Sequence, residues 1–302
     1  MFVQLLGALP GALAQGLVWG LMAIGVYLTF RILDFADLTV DGSICTGAAV
    51  CTVLVLRGMN PWLAMLCALI CGFIAGALTG VLHIYLGIPA ILAGILTQMV
   101  LWSVNLKIMG KANLTLPART TPVLLSQLNI PSAILILFGI AAALIVLLYA
   151  FFGTELGCSI RATGSNAVMS RAQGINTGFT KILGLAISNA LVALSGALLC
   201  QYQGFADINM GRGAVVIGLA AVVIGEALVS RLPQNFALSL FGVLLGAVVY
   251  YIVYQTIIFV GFDTDFLKMF SAVVVGLFLG VPYLKKQISV TFRSKKGGKT
   301  NA

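Results

Sequence analysis

The sequence predicts an all-α polytopic membrane protein with about nine transmembrane helices, in a range of roughly eight to ten. Three observations support this fold class. Hydrophobic residues make up 61% of the 302 positions and charged residues only 8%, whereas soluble domains carry about 25% charged residues. Most of the charge-free runs exceed the ~20 residues that cross a bilayer as a helix. Small residues recur at helical spacing inside these runs, as in membrane helices that pack closely.

The first two spans differ in length. Residues 5–30 form the first apolar run, which is too long for a signal peptide. A charged connector at residues 31–37 follows, and the next run, 42–56, has only 15 residues, about 22 Å of helix against a hydrocarbon core of ~30 Å. We therefore expect a broken second helix with Thr39 and Asp41 at membrane depth. Irregular backbone and carboxylates are tolerated there only when they are buried in protein or line a cavity.

The next two spans carry small and polar side chains in regular order. Residues 62–82 present small residues at every fourth position, which predicts a close-packing face; they are Ala64, Ala68, Gly72, Gly76 and Gly80. Residues 90–106 hold Gln98, Trp102 and Asn105 at offsets of four and three, hence on one helix face. Such a face either grips a neighbouring helix or lines a passage.

The remaining spans follow a long loop at residues 107–130. Spans five and six are expected at residues 132–152 and 182–200, and the latter contains Asn189 and Ser195. Spans seven, eight and nine are expected at 211–225, 236–260 and 266–284. Small residues recur in both halves, which is typical of the internal repeats that transporters use.

Residues 154–181 form a polar connector between two apolar runs. Gly164, Ser165 and Asn166 predict a cap-rich turn, because Ser and Asn accept hydrogen bonds from free helix N–H groups. A short helix over residues 167–173 should follow and end at Gly174, which permits a left-handed exit. An amphipathic helix on an otherwise apolar chain is expected to contact something outside the membrane.

Two stretches resemble a known family. Gly164-Ser165-Asn166-Ala167 with Arg171-Ala172-Gln173-Gly174-Ile175-Asn176 resembles the cytoplasmic coupling loop of ABC-importer permeases of the branched-chain amino acid and ribose superfamily. The run from Arg31 to Ser43, RILDFADLTVDGS, is similar to the signature of a subgroup that includes tryptophan and tyrosine importers. With Gly211-Arg212-Gly213, the resemblance covers nearly the whole chain.

The resemblance implies a permease and its partners. These are a pair of ATPase subunits, an extracytoplasmic substrate-binding protein and a second permease copy. It implies that the loop 155–181 carries a coupling helix seated in a cleft of the ATPase, with its contacts at Gly164, Ser165, Asn166, Ala167, Arg171, Gly174 and Ile175. It also implies an amino acid substrate, with aromatic ones favoured.

The expected pathway residues fall in two groups, each with a second interpretation. Asp37, Thr39, Asp41 and Ser43 are expected to line the pathway. Asp41 or Asp37 either caps the broken helix or faces the pathway and meets a substrate ammonium group, and both roles are compatible. Gln98, Trp102, Asn105, Asn189 and Ser195 are expected either in the pathway wall or as polar contacts between helices.

Span counting gives a topology. If the loop 155–181 is cytoplasmic, the connector 31–37 and the tail 285–302 are cytoplasmic as well, and the N-terminus lies outside. The basic loops then follow the positive-inside rule, except the loop 107–130, which lands outside with Lys107, Lys111 and Arg119. We expect a bacterial inner-membrane protein whose basic tail contacts anionic lipid rather than nucleic acid.

Catalytic chemistry is not expected of this chain. It contains no G-x-x-x-x-G-K-[ST] motif and no H-E-x-x-H, and His83 is its only histidine. Cys67 and Cys71 share a helix face without further metal ligands, which favours packing. No cofactor is predicted, and ATP hydrolysis is expected on a partner. The alternatives are a secondary transporter or channel that works without an ATPase, or a sugar or nucleoside permease.

Overall fold

The computed structural model describes residues 2–117, 121–230 and 235–259, together with four single helical positions at 269, 273, 276 and 280. Its helices are α1 (Phe2–Tyr27), which continues as a π-helical turn (Leu28–Ile32), α2 (Val40–Leu56), α3 (Pro61–Ile84), α4 (Ala90–Met109), α5 (Ile130–Phe152), α6 (Glu155–Ser165), α7 (Ala167–Ala172), α8 (Thr177–Gln203), α9 (Ala214–Val229) and α10 (Phe236–Phe259). Two short strands, β1 (Asn113–Thr115) and β2 (Phe205–Asp207), complete the described part.

Eight described helices correspond to predicted spans. Six of them are long and apolar enough to cross a membrane, namely α1, α3, α4, α5, α8 and α10, while α2 and α9 are apolar but shorter. An all-α polytopic membrane fold is therefore confirmed. The predicted ninth span at 266–284 lies outside the described residues apart from the four single positions, as do the basic tail and Arg119.

Helix α8 lies at the centre of the described fold, where it packs against α3, α2 and α1. The predicted small-residue face of α3 lies directly against α8. A Cβ atom at Gly76 would overlap the carbonyl oxygen of Leu185, and one at Gly72 would overlap that of Asn189. Glycine is required here because the two helix backbones touch, which confirms the packing role predicted for the face.

The second span is irregular at its beginning. The π-helical turn ends α1, and residues 33–39 form no helix, although Leu33, Phe35, Asp37 and Thr39 are buried. Asp34 adopts a left-handed conformation, with φ at 52°. Helix α2 begins only at Val40, so this crossing consists of a buried irregular segment and a 17-residue helix.

The loops gather at two ends of the bundle. At one end, which we call the Arg31 end, the guanidinium of Arg31 forms an ion pair with Glu226 at 2.8 Å, and Gly164 lies against the backbone of Ile32. At the other, the Asn113 end, β1 pairs antiparallel with β2, with Asn113 opposite Asp207. The pairing confirms that the loop 107–130 lies on the same side as the turn after α8, as the span count predicts.

The polar connector contains one helix more than the sequence predicted. Gly164 and Ser165, expected in a turn, form the end of α6, which Thr154 caps by accepting from the N–H of Gly157 at 3.4 Å. The short helix predicted over residues 167–173 is confirmed as α7 (Ala167–Ala172). Asn166 caps it by accepting from the N–H of Met169 at 3.0 Å.

Candidate functional site

The beginnings of α2 and α9 meet, although they lie far apart in the sequence. Asp41, in the first turn of α2, accepts hydrogen bonds from the N–H groups of Gly213 at 3.0 Å and Val215 at 3.1 Å. The first N–H groups of a helix have no partner within it. Asp41 therefore caps α9, a different helix from the one it was expected to cap. Its carboxylate links the first turn of α2 to the N-terminus of α9.

A cavity of about 500 Å³ opens beside this junction, and we call it the Asp41 cavity. Its lining residues are Asp41, Gly42, Cys45, Gln98, Met99, Trp102, Ser103, Asn105, Ile208 and Arg212. The structure thus brings together four of the predicted pathway residues, Asp41 and the three on one face of α4. The volume falls within the ~300–1,000 Å³ typical of small-molecule sites.

Arg212 was not predicted as a site residue. It lies between two glycines just before α9, is exposed, and lines the Asp41 cavity. Within the described ranges, the one ion pair joins Arg31 to Glu226, so the guanidinium of Arg212 has no carboxylate partner there. The signal in the sequence was a lone arginine flanked by Gly211 and Gly213, before an apolar run.

Asn105 lines the same cavity and is fully buried. Neither its Oδ1 nor its Nδ2 has a hydrogen-bond partner among the residues that the structure describes. A buried amide without partners costs about 1–3 kcal/mol for each unsatisfied group. Such a group in a cavity wall is suited to receive a polar partner from a bound solute.

Three further predicted residues form a buried network next to the cavity. The Asp37 carboxylate accepts from the backbone N–H of Thr39 at 2.8 Å and from the Asn189 side-chain amide at 2.7 Å. The Ser43 hydroxyl donates to Asn189 Oδ1 at 2.6 Å. Asp37, Ser43 and Asn189 are fully buried, and none is among the lining residues of the cavity. The network fixes the irregular segment to α8.

A chain of threonines fixes the same segment to two other helices. The Thr39 hydroxyl shares a hydrogen bond with Thr79 on α3 at 2.7 Å, and Thr79 donates to Thr97 on α4 at 3.0 Å. Thr79 was not expected in the site. A polar residue within an apolar run was the available signal, but spacing alone did not indicate its partner.

Ser195, the remaining residue of the expected wall, lies at the contact between α8 and α1. Its hydroxyl donates to the carbonyl oxygen of Val18 at 2.8 Å, and its side chain is fully buried. Ser188 makes the same kind of bond to Gly25 at 2.7 Å. The placement fits the second interpretation of this residue, a polar contact between helices.

At the Arg31 end, α7 presents apolar side chains to the surface. Val168 is 83% exposed and Met169 is 63% exposed. The helix is flanked by the Asn166 cap and by Gly174, whose φ is 86°. The Arg171 guanidinium donates to the hydroxyl of Thr177 at 3.2 Å and so holds the exit of α7 to the start of α8. The exposed pair is therefore carried on a short element with defined ends.

Comparison with known proteins identifies the family. A family model described as "Branched-chain amino acid transport system / permease component" matches residues 9–282. The chain belongs to this family. It is thus a multi-pass membrane subunit of an ABC transport system, and family membership implies an ATPase partner and a substrate-binding protein. The family membership that the two motifs predicted is confirmed.

Individual relatives of this permease differ in their named cargo. It is 36% identical over 279 residues to the tyrosine transport system permease protein of Clostridioides difficile, covering 92% of each chain. It is 28% identical over 280 residues to the fructose import permease protein FruF of Bifidobacterium longum, covering 90% of this chain and 76% of that one.

A solved structure has the same fold as the permease. A chain of PsaBC from Streptococcus pneumoniae, in complex with a Fab, superposes with a TM-score of 0.52 and 15% sequence identity, covering 93% of this chain and 95% of that one. At this level of identity the likeness extends to the fold alone.

Proposed function

We propose that this permease is the membrane-spanning subunit of an ATP-driven importer that carries an amino acid, with aromatic ones favoured. The observation that carries the proposal is the pairing of the Asp41 cavity with an exposed docking element at the Arg31 end. A solute site within the bundle and a contact surface outside it are what an importer powered by a separate ATPase requires.

Coupling to the ATPase is assigned to α7. Its side chains Val168 and Met169 are mostly exposed, and the helix is too short to be stable without its caps and its contacts to neighbouring helices. Exposed apolar side chains on a positioned helix are suited to a groove on a partner. Gly164, packed on Ile32, connects α6 to the π-helical turn, so that a displacement of α7 reaches residues 33–39.

The same reasoning orients the chain. An ATPase works in the cytoplasm, so the Arg31 end is assigned to the cytoplasmic side of a bacterial inner membrane, and the tail 285–302 lies on that side with anionic lipid. The substrate-binding protein then docks at the Asn113 end. ATP-driven closure of the ATPases switches the pathway between two global states through rigid elements.

A second copy of the permease is proposed to complete the pathway. The Asp41 cavity opens on a face of α4 from which Met99, 65% exposed, and Trp102, 45% exposed, project outward beside Ser103. An open cavity lined by a carboxylate and a guanidinium is poorly suited to lipid. The facing α4 of a second copy would cover it and enclose the solute.

The amino acid substrate is supported by two observations. The relative from C. difficile is named a tyrosine transport system permease, and the cavity combines a carboxylate, a guanidinium and an indole ring. The fructose permease relative supports a sugar as the alternative cargo. An internal carboxylate and guanidinium favour a zwitterion over a neutral sugar.

The test is uptake into vesicles that contain the permease, its ATPase and its binding protein. Tyrosine uptake that requires ATP is expected, and Val168→Glu and Met169→Glu should abolish it and release the ATPase on affinity purification. Leu128→Glu, an exposed leucine at the Asn113 end that is 62% exposed, is the matched control and should leave the ATPase bound. Uptake by the permease without an ATPase would contradict the importer, and sugar uptake without tyrosine uptake would contradict the substrate.

A further inference from the structure

The Asp41 cavity carries opposite charges on the two sides of the α9 start. Arg212 precedes α9 and lines the cavity without a carboxylate partner in the described part of the chain, and Asp41 lines it from α2. Ionisable side chains at membrane depth are costly and are kept where they serve a solute or another charge. The arrangement presents one cationic and one anionic group to the same small space.

Asp41 retains capacity for a ligand although it caps α9. A carboxylate has about four acceptor positions. The N–H groups of Gly213 and Val215 occupy one on each oxygen, and the N–H group of Ala214 also points at the carboxylate. The remaining positions suit a donor such as an ammonium group. Arg212 supplies only donors, and beside the positive end of α9 it suits a carboxylate.

The remainder of the wall suits a side chain of moderate polarity. Trp102 and Met99 provide an aromatic face and a polarizable thioether. Asn105, fully buried with both polar atoms unpartnered within the described ranges, adds an unused donor and an unused acceptor. The unpartnered amide of Asn105 distinguishes a ligand site from a helix N-terminus whose hydrogen bonds are all satisfied within the protein.

We propose that the Asp41 cavity is a binding station for a free α-amino acid within the permease. Arg212 binds the α-carboxylate, Asp41 binds the α-ammonium group, and Trp102 stacks on the side chain. The inference rests on the proposed function and deepens it: the permease itself selects zwitterions, so that the substrate-binding protein is not the sole source of specificity. Sugars lack both charges and are excluded.

The experiment measures direct binding to the purified permease in lipid nanodiscs, without ATPase or binding protein. The probes are L-tyrosine, tyramine, which lacks the carboxylate, 3-(4-hydroxyphenyl)propionate, which lacks the ammonium group, and D-fructose. L-tyrosine should bind at least tenfold more tightly than either analogue, and fructose should not bind. The opposite ranking, or equal affinities, would overturn the proposal.

Variants then assign each charge. Arg212→Gln should weaken L-tyrosine and the propionate by at least tenfold and leave tyramine unchanged, and Arg212→Lys should restore part of the loss. Asp41→Asn should weaken L-tyrosine and tyramine and leave the propionate unchanged. Lys107→Gln, which removes an exposed charge from α4 outside the cavity lining, is the matched control. Equal losses for all three probes would assign a structural role instead.

Asp41 also caps α9, so its variant needs a second readout. The melting temperature reports on folding, and Asp41→Glu should recover tyramine binding if the charge matters and the cap tolerates the longer side chain. Absence of L-tyrosine binding by the wild-type permease, with ATP-driven tyrosine uptake intact in the full complex, would overturn the station and leave the proposed function standing. Sugar uptake alone would remove both.

Discussion

Asn189 on α8 donates its side-chain amide to the carboxylate of Asp37 across 2.7 Å, although 152 residues separate them in the chain. The same amide group accepts from the Ser43 hydroxyl, so one side chain satisfies both the irregular segment and the first turn of α2. Because buried carboxylates are costly unless they are hydrogen-bonded, this contact stabilises the irregular segment that precedes α2.

Removal of the Asn189 amide is expected to destabilise the permease strongly. Asn189→Ala leaves the buried Asp37 carboxylate with one donor fewer, and a hydrogen bond to a charged group contributes about 1.5–3 kcal/mol. Asp37→Asn in the same background should recover part of the loss, because the amide needs less compensation than a carboxylate. Thermal unfolding in detergent, arranged as a double-mutant cycle, measures the coupling. Strict additivity of the two changes would contradict a direct interaction.

Two glycine-to-alanine changes are expected to have opposite signs. Gly76→Ala places a Cβ atom onto the carbonyl oxygen of Leu185, and overpacking of this kind costs about 1–3 kcal/mol. No atom of the described residues lies within 4 Å of a Cβ atom added at Gly139, within α5. Gly139→Ala should therefore stabilise by about 0.5–1 kcal/mol through helix propensity.

The measurement is again the melting temperature, with both variants compared in the same detergent. The sign of the difference is the decisive quantity, because both substitutions add one methyl group to a membrane helix. A stabilising Gly76→Ala would show that α3 and α8 do not approach each other at this position.

The ion pair between Arg31 and Glu226 is expected to contribute little to stability. The two side chains are 64% and 38% exposed, and pairs of this kind contribute about 0–1 kcal/mol because solvent screens them. Glu226→Gln should therefore lower the free energy of unfolding by less than about 1 kcal/mol, and the effect should shrink further in high salt. A larger, salt-insensitive loss would indicate that the pair is buried in the assembled transporter.

Local chemistry accounts for what the sequence predicted correctly. The Asn166 cap and the left-handed Gly174 that ends α7 depend only on residues nearby in the sequence. The short apolar run that ends at Leu56 can likewise be read directly from the sequence. The small-residue face of α3 also follows from spacing alone, because close helix contact requires small side chains wherever the partner lies. These features were predictable without knowledge of the tertiary arrangement.

The pairing of polar residues could not be predicted in the same way. Helical periodicity placed Gln98, Trp102 and Asn105 on one face. It did not indicate that Arg212, which is 107 positions beyond Asn105 in the sequence, would line the same cavity. Ser195 and Asn189 share α8, yet one contacts α1 and the other holds the irregular segment. A polar side chain within a membrane span is stabilised by a hydrogen bond to any suitable neighbour. Its presence therefore indicates a contact without specifying the partner.

Gly164→Ala is expected to separate ATP hydrolysis from transport. The added Cβ atom would overlap the carbonyl oxygen of Ile32 and push α6 away from the π-helical turn, which leads directly into residues 33–39 and the Asp41 cavity. Uptake per ATP hydrolysed should fall at least tenfold, while ATPase association through α7 persists. π-helical turns are frequent at functional sites, and this one contacts α6 and leads from α1 into the second span.

Ser159→Ala is the matched control for Gly164→Ala. It also lies on α6 but loses only a hydrogen bond to Glu155 within the same helix, and it should leave the coupling ratio unchanged. The measurement combines tyrosine uptake with phosphate release in the same vesicles. An unchanged ratio for Gly164→Ala in a folded, ATPase-bound complex would mean that force from α7 bypasses Ile32 and enters the bundle through the start of α8 instead, where Arg171 contacts Thr177.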